Sequence, residues 1–454
     1  MGKATPEAPD SARRALPAVE RVLSSDAFAP LISEGGRARV KEAVVAHLDD
    51  LRARRAGWDE TAAITAVGQA VARSTASTLR RVINGSGILI HTNLGRSPID
   101  PALWQRAAAV TTGYSNLEFD LGEGERGARD EHLAALCRTL FGCEAAMLTN
   151  NNAAGTLLLL AATAAGKEVV VSRGELVEIG GSFRVPDVIQ QGGAKLREVG
   201  TTNRTRAADY AAAVTKKTAA LLRVHRSNFD IVGFTETPAI EELVAVARTK
   251  KVPLLYDEGS GRVVDLAPYG FASAPTVREL LAAGVDAVTC STDKLLGATQ
   301  GGLILGSEEL VARCRRHPLM RALRAGKESY AVIAETLHAF ATGTYEREIP
   351  IYQMLSLTPE ALRARAEALV RGTAATIVPS TCALGGGTTP TETIPSLAVE
   401  LPGNANELQR RLLRNDPPIV SRIADDHLRL DVRTLLQSEL AEVSAALAAT
   451  IVHR

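Results

Sequence analysis

The stretch Ser291-Thr292-Asp293-Lys294-Leu295-Leu296-Gly297 follows the mostly apolar run Val285–Cys290 and shortly precedes Gln300-Gly301-Gly302. A short run of this kind bounded by small residues reads as a buried strand, so Lys294 stands just past a strand end. An amine in that position, with Ser291 and Thr292 beside it, is suited to a Schiff base with an aldehyde such as pyridoxal phosphate. By itself a Ser-x-x-Lys says little, because most lysines are merely solvated. Two further stretches, each at the end of its own strand, change that.

Upstream, Thr149-Asn150-Asn151-Asn152-Ala153-Ala154-Gly155 connects a strand to an apolar helix. Asparagines are poor inside helices and good at their starts. The free N–H groups of a helix start can hold a phosphate dianion, which makes Asn151, Asn152 and Ala153 candidate phosphate ligands, although a plain capped turn carries the same signature. Between the two, residues 252–261 (VPLLYDEGSG) form a strand ending in an acid and a glycine turn. Asp257 can pair there with a pyridinium nitrogen and keep the ring an electron sink. Phosphate loop, acid and lysine, in that chain order on successive strand ends, form the arrangement of fold-type I pyridoxal-phosphate enzymes, with Ser291 and Lys294 completing the cofactor set.

The surrounding texture agrees. From 81 to 345, short runs (Ala145–Leu148, Glu168–Val171, Ala220–Val224, Pro253–Tyr256, Ala287–Cys290, Gly302–Leu305) alternate with helical stretches, which predicts parallel strands covered by helices. Residues 346–454 mix helices (Glu360–Arg371, Asn404–Arg414, Leu435–Ala449) with strands (Ser396–Glu400, Leu428–Val432), a small C-terminal α/β domain. Residues 1–80 read as helices only: Val19, Val22 and Leu23 after Pro17, then Val40, Val44, Leu48 and Leu51, then Ile64, Val67 and Val71 within Glu60–Leu79. With 12 Lys+Arg against 10 Asp+Glu in that segment, charge alone indicates solvated faces of a helical bundle.

Composition excludes several classes. The 454 residues are 46% hydrophobic and 23% charged, which rules out global disorder, and 37 glycines with only 4% aromatics suit an α/β enzyme better than an aromatic-rich β-sandwich. A formal net charge of +1 makes no electrostatic case for nucleic-acid binding, which only local clusters could carry, and DNA is not expected as a partner. The longest uncharged apolar run, Ala153–Gly166, is short for a bilayer, and Met1–Asp10, with Pro6, Glu7, Pro9 and Asp10, has no apolar core for a signal or transit peptide. Cys137, Cys143, Cys290, Cys314 and Cys382 are odd in number and lack a C-x-x-C pair, so neither a disulfide framework nor a metal site is expected, and a cytoplasmic location fits. Gly85-x-Gly87 lacks the third glycine of a dinucleotide turn.

A narrower resemblance lies in longer motifs. Residues 81–96 (RVINGSGILIHTNLGR), 114–118 (YSNLE), 124–127 (GERG), 172–183 (SRGELVEIGGSF) and 198–203 (EVGTTN) resemble bacterial selenocysteine synthases, the L-seryl-tRNA(Sec) selenium transferases. The likeness extends from the N-terminal helices through the small domain and is densest between Arg81 and Arg324. It implies an N-terminal tRNA-binding domain, a fold-type I core, a C-terminal domain and a homodecamer. It further implies conversion of seryl-tRNA(Sec) to selenocysteinyl-tRNA(Sec) through a dehydroalanyl stage, with selenophosphate as donor. Lys294 would bind the cofactor and then take the Cα proton, while Arg96, Arg321 and Arg324 match family positions resembling an anion pocket; Arg321 and Arg324, three apart, would share a helix face. In the 1–80 domain, Arg37, Arg39, Lys41, Arg52, Arg54 and Arg55 would meet tRNA phosphates. His225 and Asn228 read equally as ring contacts or as satisfied strand-end residues.

The chain departs from the family pattern after the lysine, where Ala298, Thr299 and Gly301 replace Gly, Pro and Ala, and in the acid loop, where Glu258 stands for Leu. Lys294, Gln300 and Asp257 remain. Two rivals stay open at this level: a fold-type I enzyme of free amino acids, which would lack the N-terminal helices, and a tRNA- or protein-binding scaffold with a degenerate cofactor site, against which the intact Asn151, Asp257 and Lys294 set speaks.

Overall fold

The computed structural model describes residues 16–180 and 183–451; Met1–Asp10 and Gly181-Ser182 of the quoted motifs lie outside them. The chain divides into two compact units after Arg81. In the first, helices Val19–Leu23, Ala29–Gly35, Arg37–Arg54 and Glu60–Thr75 bury Val22, Phe28, Val40, Val44, Leu48, Val67 and Val71 in a core of their own. The 3.6-residue period aligns these side chains, and Asp59 starts the last helix by accepting from Ala62 N at 2.9 Å. That helix stops at Thr75, four residues before the predicted end, where Ala76 turns extended. Pro17 lies just ahead of the first helix and its N-cap Ala18.

The second unit is built on seven strands: β1 (Ala145–Thr149), β2 (Glu168–Ser172), β3 (Lys195–Val199), β4 (Thr218–Val224), β5 (Leu254–Asp257), β6 (Ala287–Ser291) and β7 (Gly302–Gly306). Their order across the sheet is β1-β7-β6-β5-β4-β2-β3. Alternate side chains serve opposite faces, as a period of two requires: Ala146, Leu148, Leu221, Leu254, Val288 and Cys290 join one core, and Met147, Ala220, Leu222, Leu255, Ala287 and Ile304 the other. The resulting three layers bury both faces, which is why the central strands look almost uniformly apolar.

Two strand expectations change. Gly302–Leu305 does not run parallel: β7 is antiparallel to both neighbours, pairing Gly302 with Thr149 and with Ser291. The turn from Thr292 to Gly301 is too short for a parallel crossover. The strand β3 escapes the sequence reading because Lys195, Arg197 and Glu198 break its apolar pattern, as suits a sheet edge that must discourage further pairing.

The C-terminal part of this unit carries a second sheet in the order β8-β9-β11-β10, from β8 (Thr376–Gly385), β9 (Thr389–Leu401), β10 (Arg422–Ala424) and β11 (His427–Asp431). Ile83–Asn84 pairs in parallel with Ile419–Val420, and Ile88 bridges to Ala383, so the 81–90 segment runs along this layer before delivering the 91–97 turn to the main sheet. Fully buried Asp431 ties the layer together, accepting from Ser396 Oγ at 2.7 Å, Cys382 Sγ at 3.0 Å, Arg433 N at 3.1 Å and from Ser380 Oγ. The β8–β9 hairpin tip, residues 385–389, is thereby held out toward the main sheet. All five cysteines are free and buried.

Candidate active site

Every parallel strand of the main sheet ends on one edge, and register brings the candidate residues together there. Asp257 is the last residue of β5 and pairs with Thr289 of β6, two residues before Ser291. Beyond β1, Asn151 caps the helix Asn152–Ala164 with its side chain, accepting from Ala154 N at 2.8 Å, while its carbonyl takes Gly155 N at 3.1 Å. Of the first four N–H groups this leaves those of Asn152 and Ala153 without an acceptor among the described residues, the arrangement that receives a phosphate. At Gly302 no other residue fits, because a Cβ would stand 2.2 Å from the Asn151 carbonyl oxygen.

The Asn152 side chain does something the sequence did not disclose: its Nδ2 donates to Asp257 Oδ1 at 2.8 Å, joining phosphate loop to acid. Thr289 Oγ1 donates to the same oxygen at 3.3 Å. Burial pushes the Asp257 carboxyl above its ordinary range, against which the Asn152 hydrogen bond and the Lys294 charge act. A buried carboxylate of this kind gains from a cationic partner such as a pyridinium N–H.

Lys294 Nζ donates to Gly259 O at 2.8 Å and to Gly387 O at 3.3 Å, so it lies between the acid loop and the hairpin tip. At Gly387, with φ +90°, a Cβ would stand 2.8 Å from that nitrogen. Burial lowers the Lys294 pKa, with the charges of Asp293, Asp257 and Glu258 opposing and Arg96 reinforcing. An amine so disposed exchanges its proton more readily than a solvated lysine, as a nucleophile and base must. Glu258, the departure from the family pattern, folds back on its own loop: its carboxylate accepts from Gly261 N at 2.6 Å, Ser260 N at 3.1 Å and Ser260 Oγ.

Arg96 is held in the left-handed region at φ +67° and donates to Asp293 Oδ2 at 2.5 Å, while Ser97 Oγ donates to Lys294 O at 2.5 Å. The 91–97 turn thus clamps the lysine segment through Asp293, a residue whose place beside Lys294 in the chain does not by itself disclose this pairing. Arg321 and Arg324 lie elsewhere, lining a cavity of about 330 Å3 beside the phosphate loop. They do not share a helix face, because the helix Met320–Leu323 ends one residue before Arg324, which is extended at ψ 136°. Asn150 N donates to Leu323 O at 2.9 Å, tying this segment to the loop. His225 Nε2 meets Thr388 O at 2.7 Å and Asn228 Nδ2 donates to Glu178 O at 2.6 Å, so both are satisfied by backbone carbonyls.

Five of the eleven buried side-chain polar atoms without a partner among the described residues lie around the same centre: Asn152 Oδ1 at the phosphate loop, His91 Nδ1 and Arg96 Nε on the 91–97 turn, and Ser227 Oγ and Thr389 Oγ1 at the hairpin tip. Burial also lowers the pKa of His91. Such a set suits a ligand rich in donors and acceptors. No group of His, Cys, Asp and Glu among the described residues could hold a metal ion.

Strand order, the lone antiparallel strand and the convergence of loop, acid and lysine define a fold-type I core. The solved structure of D-glucosaminate-6-phosphate ammonia-lyase has the same fold, with a TM-score of 0.61 and 24% identity over 83% of this chain and 96% of that one. The chain belongs to the L-seryl-tRNA(Sec) selenium transferase family: the family described as L-seryl-tRNA selenium transferase matches residues 82–436, and that described as Selenocysteine synthase N terminal matches residues 13–52. The L-seryl-tRNA(Sec) selenium transferase of Geobacter sulfurreducens is 46% identical, covering 95% of this chain and 98% of the relative, and that of Nitratidesulfovibrio vulgaris 43%, covering 96% and 98%. The protein is therefore an enzyme of selenoprotein synthesis that converts seryl-tRNA(Sec) to selenocysteinyl-tRNA(Sec). Among the described residues no helix is long and apolar enough to cross a membrane.

Proposed function

We propose that Lys294 carries pyridoxal phosphate, with the cofactor's phosphate at Asn151, Asn152 and Ala153, its ring nitrogen at Asp257 and Ser291 beside the lysine. The observation that carries this reading is the Asn152–Asp257 hydrogen bond of 2.8 Å next to Lys294, which makes phosphate loop, acid and amine one connected centre. When bound, the cofactor supplies an electron sink that lets the β-hydroxyl of the seryl ester leave and selenium add in its place. Asp257 holds the positive charge of the ring nitrogen. Lys294, with its lowered pKa, takes and returns the proton at Cα from the end of β6, and the carbonyls of Gly259 and Gly387 orient its Nζ between transfers. The 385–389 hairpin tip closes over the amine and limits the water that reaches it.

Selenophosphate is the donor in this reading, met by Arg96, Arg321 and Arg324, whose guanidinium forks suit a multiply charged oxyanion. Residues 1–80 bind the tRNA, 81–345 the cofactor, and 346–454 form the smaller domain; the enzyme works as a cytoplasmic homodecamer. The testing experiment is optical. The purified protein should be yellow, and borohydride reduction should bleach the chromophore and leave a pyridoxyl label on the peptide containing Lys294. A label on another lysine, or colourless protein after incubation with pyridoxal phosphate, would sink the reading.

A further inference from the structure

Glu118 closes the 114–118 motif. It gathers three arginines. Its Oε1 accepts from Arg129 Nε at 2.5 Å and from Arg324 Nη1 at 3.1 Å, and its Oε2 from Arg126 Nη2 at 3.3 Å. Arg129 is fixed a second time, donating from Nη1 to Ala325 O at 2.9 Å. The hydrogen bond from Arg129 holds the Glu118 carboxyl below its ordinary range, and the charges of Arg129, Arg126 and Arg324 add to the effect.

These groups line the 330 Å3 cavity together with Arg315, Arg321 and Asp130, so five arginines face two carboxylates there. Asp130 anchors the other wall, accepting from Arg315 Nε at 3.3 Å and from Tyr330 Oη at 2.9 Å. Thr149 and Arg324 form an antiparallel bridge, which sets the cavity directly against the phosphate loop.

We propose that Glu118 is the positioning residue of this anion pocket. Guanidinium groups crowded into one cavity repel and would splay toward solvent. A shared carboxylate holds them converged before the anion arrives, so less ordering remains for binding. Arg324 spends only Nη1 on Glu118, leaving the Nε and Nη2 edge of its fork for an oxyanion. Glu118 also lowers the positive potential of the pocket, which works against anion binding. Its side chain is 31% exposed, however, so solvent screens that charge, whereas the direction it imposes on three donors is unscreened. Positioning therefore outweighs repulsion, and the net excess of arginines remains.

This inference rests on Arg321 and Arg324 being selenophosphate ligands, so both levels are tested together in the full-length holoenzyme. Glu118→Gln keeps the shape and removes the charge. It should raise the KM for selenophosphate by roughly tenfold, consistent with one weakened charge-assisted contact, while kcat at saturating donor and the cofactor absorbance stay close to wild type. Glu118→Asp should recover part of the loss. Arg324→Ala is the control for the underlying reading and should also raise that KM. If Arg324→Ala left donor dependence unchanged, the anion-pocket reading would fall. If Arg324→Ala raised KM but Glu118→Gln left it unchanged or lowered it, Glu118 would be a competitor for the arginines or a structural group, and this inference alone would be overturned. Loss of cofactor absorbance in Glu118→Gln would likewise overturn it, because the residue would then support the fold of the cofactor site.

Discussion

The N-terminal helical unit and the catalytic unit both display arginine-rich faces, but they hold their charges differently. In the first, Arg37 pairs with Glu20 at 2.7 Å, Arg52 with Asp49 at 2.5 Å and Arg54 with Asp50 at 2.9 Å, all between well-exposed side chains. Pairs of this sort contribute little to stability and are weakened by salt, so an RNA phosphate can take over the cation at small cost. In the second, Arg223 meets Glu175 at 3.1 Å with both side chains largely buried, and Arg96 meets a buried Asp293. A buried partner cannot be exchanged for water, so these pairs fix geometry, although Arg96, with its side chain 35% exposed, keeps the rest of its guanidinium for an anion. The same residue type thus serves loosely held contacts in one unit and positioning in the other.

The comparison breaks first at the lysine. Lys294→Ala should lower formation of selenocysteinyl-tRNA(Sec) by about 10²- to 10⁴-fold, the usual yield of a positioned proton-transfer group, with a nearly unchanged melting temperature. Single-turnover assays that found wild-type rates would remove Lys294 from the chemistry. A smaller effect is expected at its partner: Asp257→Asn should retain the yellow cofactor and lose roughly ten- to a hundredfold in kcat, because a neutral amide forfeits one charge-assisted contact. Unchanged kcat would assign that role to another group.

The N-terminal unit offers the sharper contrast in salt. Replacing Arg52, Arg54 and Arg55 by Ala should weaken seryl-tRNA(Sec) binding and reduce the slope of log affinity against log salt by roughly two to three, one phosphate contact per arginine. The cofactor spectrum should not move. A slope equal to wild type would mean that these arginines face solvent only.

The smallest effect is expected at Glu258. Its charge raises the Lys294 pKa, so Glu258→Leu should lower that pKa further and leave the amine neutral at more acid pH. The acid limb of kcat, which reports the substrate complex in which the amine is free, should therefore move to lower pH. A shift toward higher pH would show that the loop hydrogen bonds of Glu258, and not its charge, dominate.

How much of this was legible in the sequence varied with the range of the interaction involved. Residues 149–155, 252–261 and 291–297 announced loop, acid and lysine because each is a local strand-to-turn signal, and the 3.6-residue stripes of Val40, Val44 and Leu48 announced a helix that buries them. The charged edge strand β3 and the direction of β7 were hidden, since periodicity reports burial and not neighbours or polarity. Gly385-Gly386-Gly387 was a visible signal for an unusual turn, but nothing local says that it reaches Lys294.

Along the chain, then, propensity, capping and hydrophobic period determined the elements, the order of the chemical groups and the family resemblance, because all of these depend on residues within a few positions of one another. The tertiary structure alone decided that Asn152 bonds Asp257 across 105 positions, that Arg96 binds Asp293 across 197 and that Arg324 reaches Glu118 across 206. Those pairings follow from sheet order and from crossings between layers, where the side chains that meet are selected by packing of the whole core and carry no mark of it in their immediate neighbours.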